Sequence, residues 1–315
     1  MEKTPFFNRY LEAGREGKND WWRYLVGILL VFFIGYGLVG QIPILILIFW
    51  GIKNGYISSI ADPELQSKIF NPEVMHLSPH VIMLTQMALF VGGMLVLWIV
   101  VRFMHRKRFM SIVTASRNVR VRRIGFSFIT YIGVMLATLT IQMRADPTNY
   151  EYIFQLKPFL ITILIGLTLL PIQTWWEEFF VRGYMLQGFG LAVGKALIPL
   201  LTTSLLFGLL HMMNPEAQKY GWEIMLPQYV MPGLIFGLLT VLDEGQELAM
   251  GAHWANNLFL ISAVTSSDYV IQASAIYRVK SFDPVTELWI GALQLFTFLA
   301  IMWATYKWNP KKLYK

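Results

Sequence analysis

The ten residues Trp175 to Tyr184, WWEEFFVRGY, place two adjacent carboxylates and an arginine at the end of an uncharged run that starts at Pro158 and is long enough to cross a bilayer. A charge held near hydrocarbon is costly unless it is paired or hydrated, so ionisable groups here read as a site that needs them. Glu178 and Arg182 are four apart with the acid on the N-terminal side, the favoured orientation for a helical ion pair; Glu177 lies about 100° round the helix and lacks that partner. One glutamate is held and the other is available. Two more polar pairs follow, Phe207 with His211 and His253 with Asn257, each four apart on one helical face. Taken singly, His211 reads as a hydrogen-bonded interior histidine, Phe207 as packing, and His253 with Asn257 as interhelical glue. Together the three sites supply a carboxylate, two imidazoles and a carboxamide, the groups needed to activate water and stabilise an oxyanion.

The elements that must position these groups are membrane helices. The 315 residues are 56% hydrophobic, 15% aromatic and 14% charged, with mean hydropathy +0.51. Uncharged windows of roughly spanning length, about 20 residues for a helix, occur at 24–52, 80–101, 124–143, 158–176, 196–213, 224–242, 248–267 and 288–306. The expectation is an all-α polytopic membrane bundle of about eight transmembrane helices. The first window, interrupted by Gln41 and Pro43, is either a kinked span or a span with an interfacial piece. No repeat or low-complexity tract appears, and the longest stretches outside the windows, 53–79 and 266–287, are too short for a separate domain, so residues 1–315 read as one transmembrane domain with its motifs within 175–258.

With the N-terminus inside, 19 of the 26 basic residues fall on the cytoplasmic side, most densely between Arg102 and Arg123, and both termini lie there. The net charge of +7 is then an anchor against an anionic leaflet, and no nucleic-acid partner is expected. The first 23 residues are charged and Trp-rich, so the first helix is expected to serve as its own signal. Cysteine is absent, which removes disulfides, thiolate ligands, a thiol nucleophile and thiol-linked lipids.

In this order, Glu177-Glu178-x-x-x-Arg182, Phe207-x-x-x-His211 and His253-x-x-x-Asn257 resemble the motifs of the CAAX protease and bacteriocin-processing (Abi-like) superfamily of intramembrane endopeptidases, which includes the type II CAAX prenyl endopeptidases. The resemblance is anchored between Trp175 and Leu258. It implies a helical bundle whose catalytic cavity opens toward the cytoplasm, and peptide-bond hydrolysis on a peptide or membrane-protein substrate. By that resemblance Glu177 and His211 bind and deprotonate a water, His253 and Asn257 donate to the oxyanion, and Glu178, Arg182 and Phe207 shape the site. Zinc on Glu177, His211 and His253 is the metal alternative. No H-E-x-x-H puts two ligands on one helix face, so the preferred reading has no cofactor. Family members process prenylated proteins in eukaryotes and serve peptide maturation, self-immunity or membrane-protein turnover in bacteria. The compact chain without an organelle signal points to a bacterial plasma (inner) membrane, where a prenyl substrate is not expected.

Two other classes stay open. A transporter would also place Glu, Arg and His in midmembrane, with Pro199, Pro227 and Pro232 marking broken helices, although the two halves show no repeat. A non-catalytic immunity or scaffold protein would need no water-activating set. One feature resists the simple picture: a fifth helix starting at Ala196 carries His211 toward its far end, away from Glu177 and His253. An offset, a tilt or a re-entrant stretch at 183–194 would reunite them, with the glycines there as turn residues.

Overall fold

Each of the eight apolar windows is built on helix, the seventh as far as Ser262, since a backbone in hydrocarbon can satisfy its polar groups only within itself. The structure is a computed structural model that describes residues 8–266 and 273–314. Lys3 and Lys315 of the basic count, and residues 267–272 of the last long loop, lie outside the described residues. After a short α1 (Arg9–Ala13) come α2 (Trp21–Lys53), α3 (Pro79–Met104), α4 (Val121–Ala145) and α5 (Leu156–Val193). They are followed by α6 (Leu197–Leu210), α7 (Trp222–Asp243), α8 (Glu247–Ser262) and α9 (Pro284–Tyr306).

Among the described residues six of these, α2 to α5, α7 and α9, are long and apolar enough to cross a membrane. The expected count of eight spans is therefore not reached by length: α6 has 14 residues and α8 has 16. The shortness of α8 follows from its surroundings. It runs along α4, α5 and α7 and is buried over most of its length, so no lipid thickness sets its extent. On the outside of the bundle Phe33, Ile46, Ile129, Ile141, Leu164 and Leu293 are exposed, the face a bilayer covers.

The first window is one kinked helix. The α2 run turns π-helical over Leu30–Val39 and bends at Gly40–Gln41, yet both halves stay on α3: Gly35 and Gly40 lie against Gly92 and Leu89, and Leu47 and Ile48 share a cluster with Ile82. The fourth window does not stop at Trp176. It continues as α5 through a π-helical stretch, Phe179–Met185, to Val193, where Gly194 at φ +81° ends it in a left-handed cap. Gly183, Gly188 and Gly190 are helical, which corrects their reading as turn residues. That continuation also removes the difficulty with His211. The stretch from Glu177 down to Val193 and the climb of α6 back from Leu197 are nearly equal, so His211 returns to the level of Glu177 without a re-entrant segment.

One end of the bundle is tied by charge. Arg120 bridges Glu247 at 2.5 Å and Asp243 at 3.0 Å, Arg123 also pairs with Asp243, and Arg9 and Lys312 meet Glu244 at 3.5 and 3.3 Å. Asn8 Nδ2 donates to the carbonyl of Lys312 at 3.4 Å, so both described ends of the chain lie on this face. A Cβ on Gly245 would sit 2.4 Å from Arg120 Nη2 and 2.3 Å from Glu247 Oε2, so a side chain there would have to displace the ion pair. At the other end a three-stranded sheet joins β1 (Tyr150–Tyr152), β2 (Val264–Thr265) and β3 (Tyr277–Val279) in the order β1-β3-β2, with β1 antiparallel and β2 parallel to β3.

Lys107 is the unusual group at the charged end. It is 2% exposed, and its Nζ donates to the Gly14 carbonyl and Tyr24 hydroxyl, both at 2.6 Å. Burial pushes its amine down from 10.5 to about 7, offset in part by Glu16. An unfolded lysine keeps its proton to a higher pH, so between the two values the unfolded chain binds more protons and stability rises with pH. The melting temperature in detergent should climb from pH 7 toward pH 10 more steeply for wild type than for Lys107→Met. Parallel profiles for the two proteins would contradict the assignment.

Candidate active site

The Glu177–Arg182 segment is carried by α5 where it passes from α- to π-helical winding, with Pro171 just inside the start of the straight part after a break at Leu169. Trp176 fastens this stretch to α3: a Cβ on Gly93 would stand 2.4 Å from its Nε1. Phe180 stacks on Trp176, and Tyr36 on its other side. The carboxylates thus project from a helix whose apolar faces are already packed.

Glu178 is fully buried. Its Oε1 accepts from Arg182 Nη1 at 3.1 Å and from His253 Nδ1 at 2.7 Å. Arg182, 1% exposed, lies 4.1 Å from the centroid of Phe207 and donates to the Pro232 carbonyl at 3.4 Å. Its charge is met by one carboxylate, one carbonyl and the rings of Phe207 and, at 5.9 Å, Phe236. Because Nδ1 of His253 gives its proton to Glu178, Nε2 is the nitrogen turned to the site, 3.5 Å from Glu177 Oε2. The other oxygen of Glu177 accepts from Gln173 Nε2 at 2.5 Å.

Asn257, one turn beyond His253 on α8, donates from Nδ2 to Gln173 Oε1 at 2.9 Å and accepts from Asn256 at 3.0 Å. His211 caps α6. Its Nδ1 donates to the Phe207 carbonyl at 2.7 Å, which leaves Nε2 as the unprotonated nitrogen of a neutral ring. The ring lies between Phe207, 4.4 Å between centroids, and Tyr229, stacked at 4.6 Å. The Phe207 ring is in turn 6.3 Å from that of His253, so it neighbours both imidazoles. Glu177, Glu178, Arg182 and His253 therefore form one connected group, Asn257 joins it through Gln173, and His211 stands one ring away.

Two side chains around the site escape sequence reasoning. Gln173 lies four residues before Glu177 on the same face, a spacing visible in the sequence, but a lone glutamine in an apolar run carries no chemical label. Tyr229 donates to Glu216 and receives Asn214 Nδ2 at 3.2 Å, and nothing in the sequence pairs it with His211.

Zinc on Glu177, His211 and His253 does not fit this arrangement: among the described residues no three or more His, Cys, Asp or Glu side chains gather as a metal-holding group.

A family model described as type II CAAX prenyl endopeptidase Rce1-like matches residues 158–259, the stretch that holds all three motifs. Across the whole fold, the chain is 30% identical over 302 residues to a Bacillus subtilis (strain 168) protein described as "Uncharacterized protein YyaK", covering 94% of this chain and 96% of that one. No solved structure matches.

Arg182→Ala would leave Glu178 buried with His253 as its remaining charge partner. Breaking a buried pair from one side costs about 3–5 kcal/mol. Arg182→Ala is expected to melt several degrees below wild type in detergent and to accumulate poorly in membranes, with Arg182→Lys intermediate because a single ammonium cannot serve carboxylate, ring and carbonyl at once. An unchanged melting temperature for Arg182→Ala would show that the pair contributes nothing to the fold.

Proposed function

The chain belongs to the type II CAAX prenyl endopeptidase Rce1-like family, which implies intramembrane CAAX protease-type activity, and from that premise we propose that it hydrolyses peptide bonds with a water activated by Glu177. The observation that carries this reading is the division of labour between the two glutamates. Oε1 of Glu178 is held by both Arg182 and His253 inside the protein, whereas Glu177 is bonded through Oε1 to Gln173 and keeps Oε2 beside His253 Nε2.

In the proposed reaction a water lies between Glu177 Oε2 and His211 Nε2. Glu177 takes one proton as the oxygen attacks the scissile carbonyl carbon, and the carbonyl π pair moves onto oxygen. His253, carrying a proton on Nε2 and balanced by Glu178 on Nδ1, donates to that oxyanion together with Asn257 Nδ2. When the C–N bond breaks, the proton held by Glu177 passes to the departing amine, and the carboxylate is restored. Phe207 packs against both histidine rings, one of which accepts while the other donates.

The substrate is a peptide or membrane protein that reaches the site within the bilayer. The setting is the plasma (inner) membrane of a bacterium, with both termini cytoplasmic, the side to which the charged end of the bundle is assigned. No observation favours the transporter or scaffold reading over this one.

The test is turnover of purified protein on a panel of internally quenched peptides, with and without a prenylated CAAX terminus. Glu177→Gln should lower cleavage at least ~10²-fold while leaving membrane levels and melting intact. Near-wild-type cleavage by Glu177→Gln would remove the assignment. Activity is also expected to survive a strong chelator, with elemental analysis finding far less than one zinc per active chain. Stoichiometric zinc whose removal and return track activity would replace the water mechanism with a metal one and leave the protease reading in place.

A further inference from the structure

Resting on the hydrolytic reading above, we propose that Gln173 is a positioning residue that fixes the water-activating carboxylate and the oxyanion-binding amide relative to each other. It is 7% exposed and lies on α5 one turn before Glu177. Its two hydrogen bonds run to the two groups that must cooperate: Nε2 to Glu177 Oε1 at 2.5 Å, and Oε1 from Asn257 Nδ2 at 2.9 Å.

The chemistry of an amide makes this arrangement directional. A carboxylate only accepts, so the donating end of Gln173 must face Glu177 and its carbonyl must face Asn257. That choice settles Asn257 as well. One hydrogen of its Nδ2 is committed to Gln173, and its Oδ1 is committed to Asn256 at 3.0 Å, so the second Nδ2 hydrogen has a single direction left. On the other side, tying up Oε1 of Glu177 leaves Oε2, the oxygen beside His253 Nε2, as the one free to take a proton. Base and oxyanion donor come from different helices, α5 and α8, and Gln173 joins them side chain to side chain.

Other residue types at 173 fail for definable reasons. Glutamate has the same length but offers oxygen at both ends and meets Glu177 as a like charge. Leucine and methionine fill similar volume and bond neither partner. A simple role in fastening α5 to α8 is already filled elsewhere, by Trp254 Nε1 donating to the Gly166 carbonyl at 2.9 Å and by the packing of Leu258 on Gly166.

The experiment compares wild type, Gln173→Leu, Gln173→Met, Gln173→Glu, Asn257→Ala and the double variant Gln173→Leu with Asn257→Ala. The probe is an internally quenched peptide that wild type cuts and Glu177→Gln does not. The expected result is a loss in kcat of about 10- to 100-fold for each Gln173 variant, the scale of a misaligned catalytic group, with KM within about threefold and the melting temperature unchanged in Gln173→Leu and Gln173→Met. In the Asn257→Ala background the further loss from Gln173→Leu should shrink, because one of the two groups it holds is gone. Wild-type kcat in Gln173→Leu and Gln173→Met, while Glu177→Gln is dead, overturns the proposal and leaves the protease reading standing. A loss that follows a lowered melting temperature in both Leu and Met variants, or one fully additive with Asn257→Ala, overturns it too. Cleavage of the peptides by Glu177→Gln removes the reading itself, and the role of Gln173 with it.

Discussion

A single carboxylate oxygen, Oε1 of Glu178, sets the terms for the rest of the molecule. It is enclosed by protein, and it accepts from a guanidinium on its own helix and from an imidazole on α8. In a medium of low dielectric such a group is tolerable only while both partners hold, and each partner then brings its own surroundings into register. Arg182 requires the Phe207 face and the Pro232 carbonyl, which fixes α6 and α7 against α5. His253 requires α8 at a definite rotation and depth. The ion network of Arg120, Arg123, Asp243 and Glu247 supplies it by clamping the N-terminal end of α8 to α4 and α7.

The bundle around this centre is built for close approach as well as for charge. Glycines at helix crossings admit side chains that carry the polar wiring: Gly93 admits Trp176, and Gly188 admits Tyr24, which in turn receives Lys107. Tyr10 of α1 extends the same wiring, donating to the carbonyl of Ile112 at 2.5 Å, with the Arg182 carbonyl at 3.1 Å and Gln246 Nε2 donating to its oxygen at 2.8 Å. The π-helical stretch that carries Arg182 is therefore held from the charged end of the bundle and from the lipid-embedded interior at once.

Much of this was open to reading in the chain because hydrocarbon makes polar residues conspicuous. The four-residue spacing of Glu178 and Arg182 gave an ion pair, and the structure contains it; uncharged windows gave helices, and each of the eight is built on one. What stayed hidden depends on tertiary context. A window that ends in charge reads as a helix end, yet Arg182 is neutralised inside the protein, so α5 continues to Val193 and carries His211 to the right height through α6. The glycines at 183, 188 and 190 resemble turn signals until the side chains of Gln246, Tyr24 and Leu11 are seen against them. The α8 helix is short because protein surrounds it, which no hydropathy window records. Gln173 and Tyr229 are polar groups of ordinary type whose partners lie on other helices.

The brevity of α6 has a consequence for the surrounding lipid. Fourteen helical residues rise about 21 Å, well short of a hydrocarbon slab of ~30 Å. At its His211 end a single 3-10 turn, His211–Met213, leads into the polar segment from Asn214 to Tyr220, where Tyr229 donates to Glu216. Acyl chains beside that segment must shorten or splay to cover it, at a cost of fractions of a kcal/mol per Å. A bilayer that covers α6 is therefore drawn thinner beside it than beside the six longer helices of the bundle.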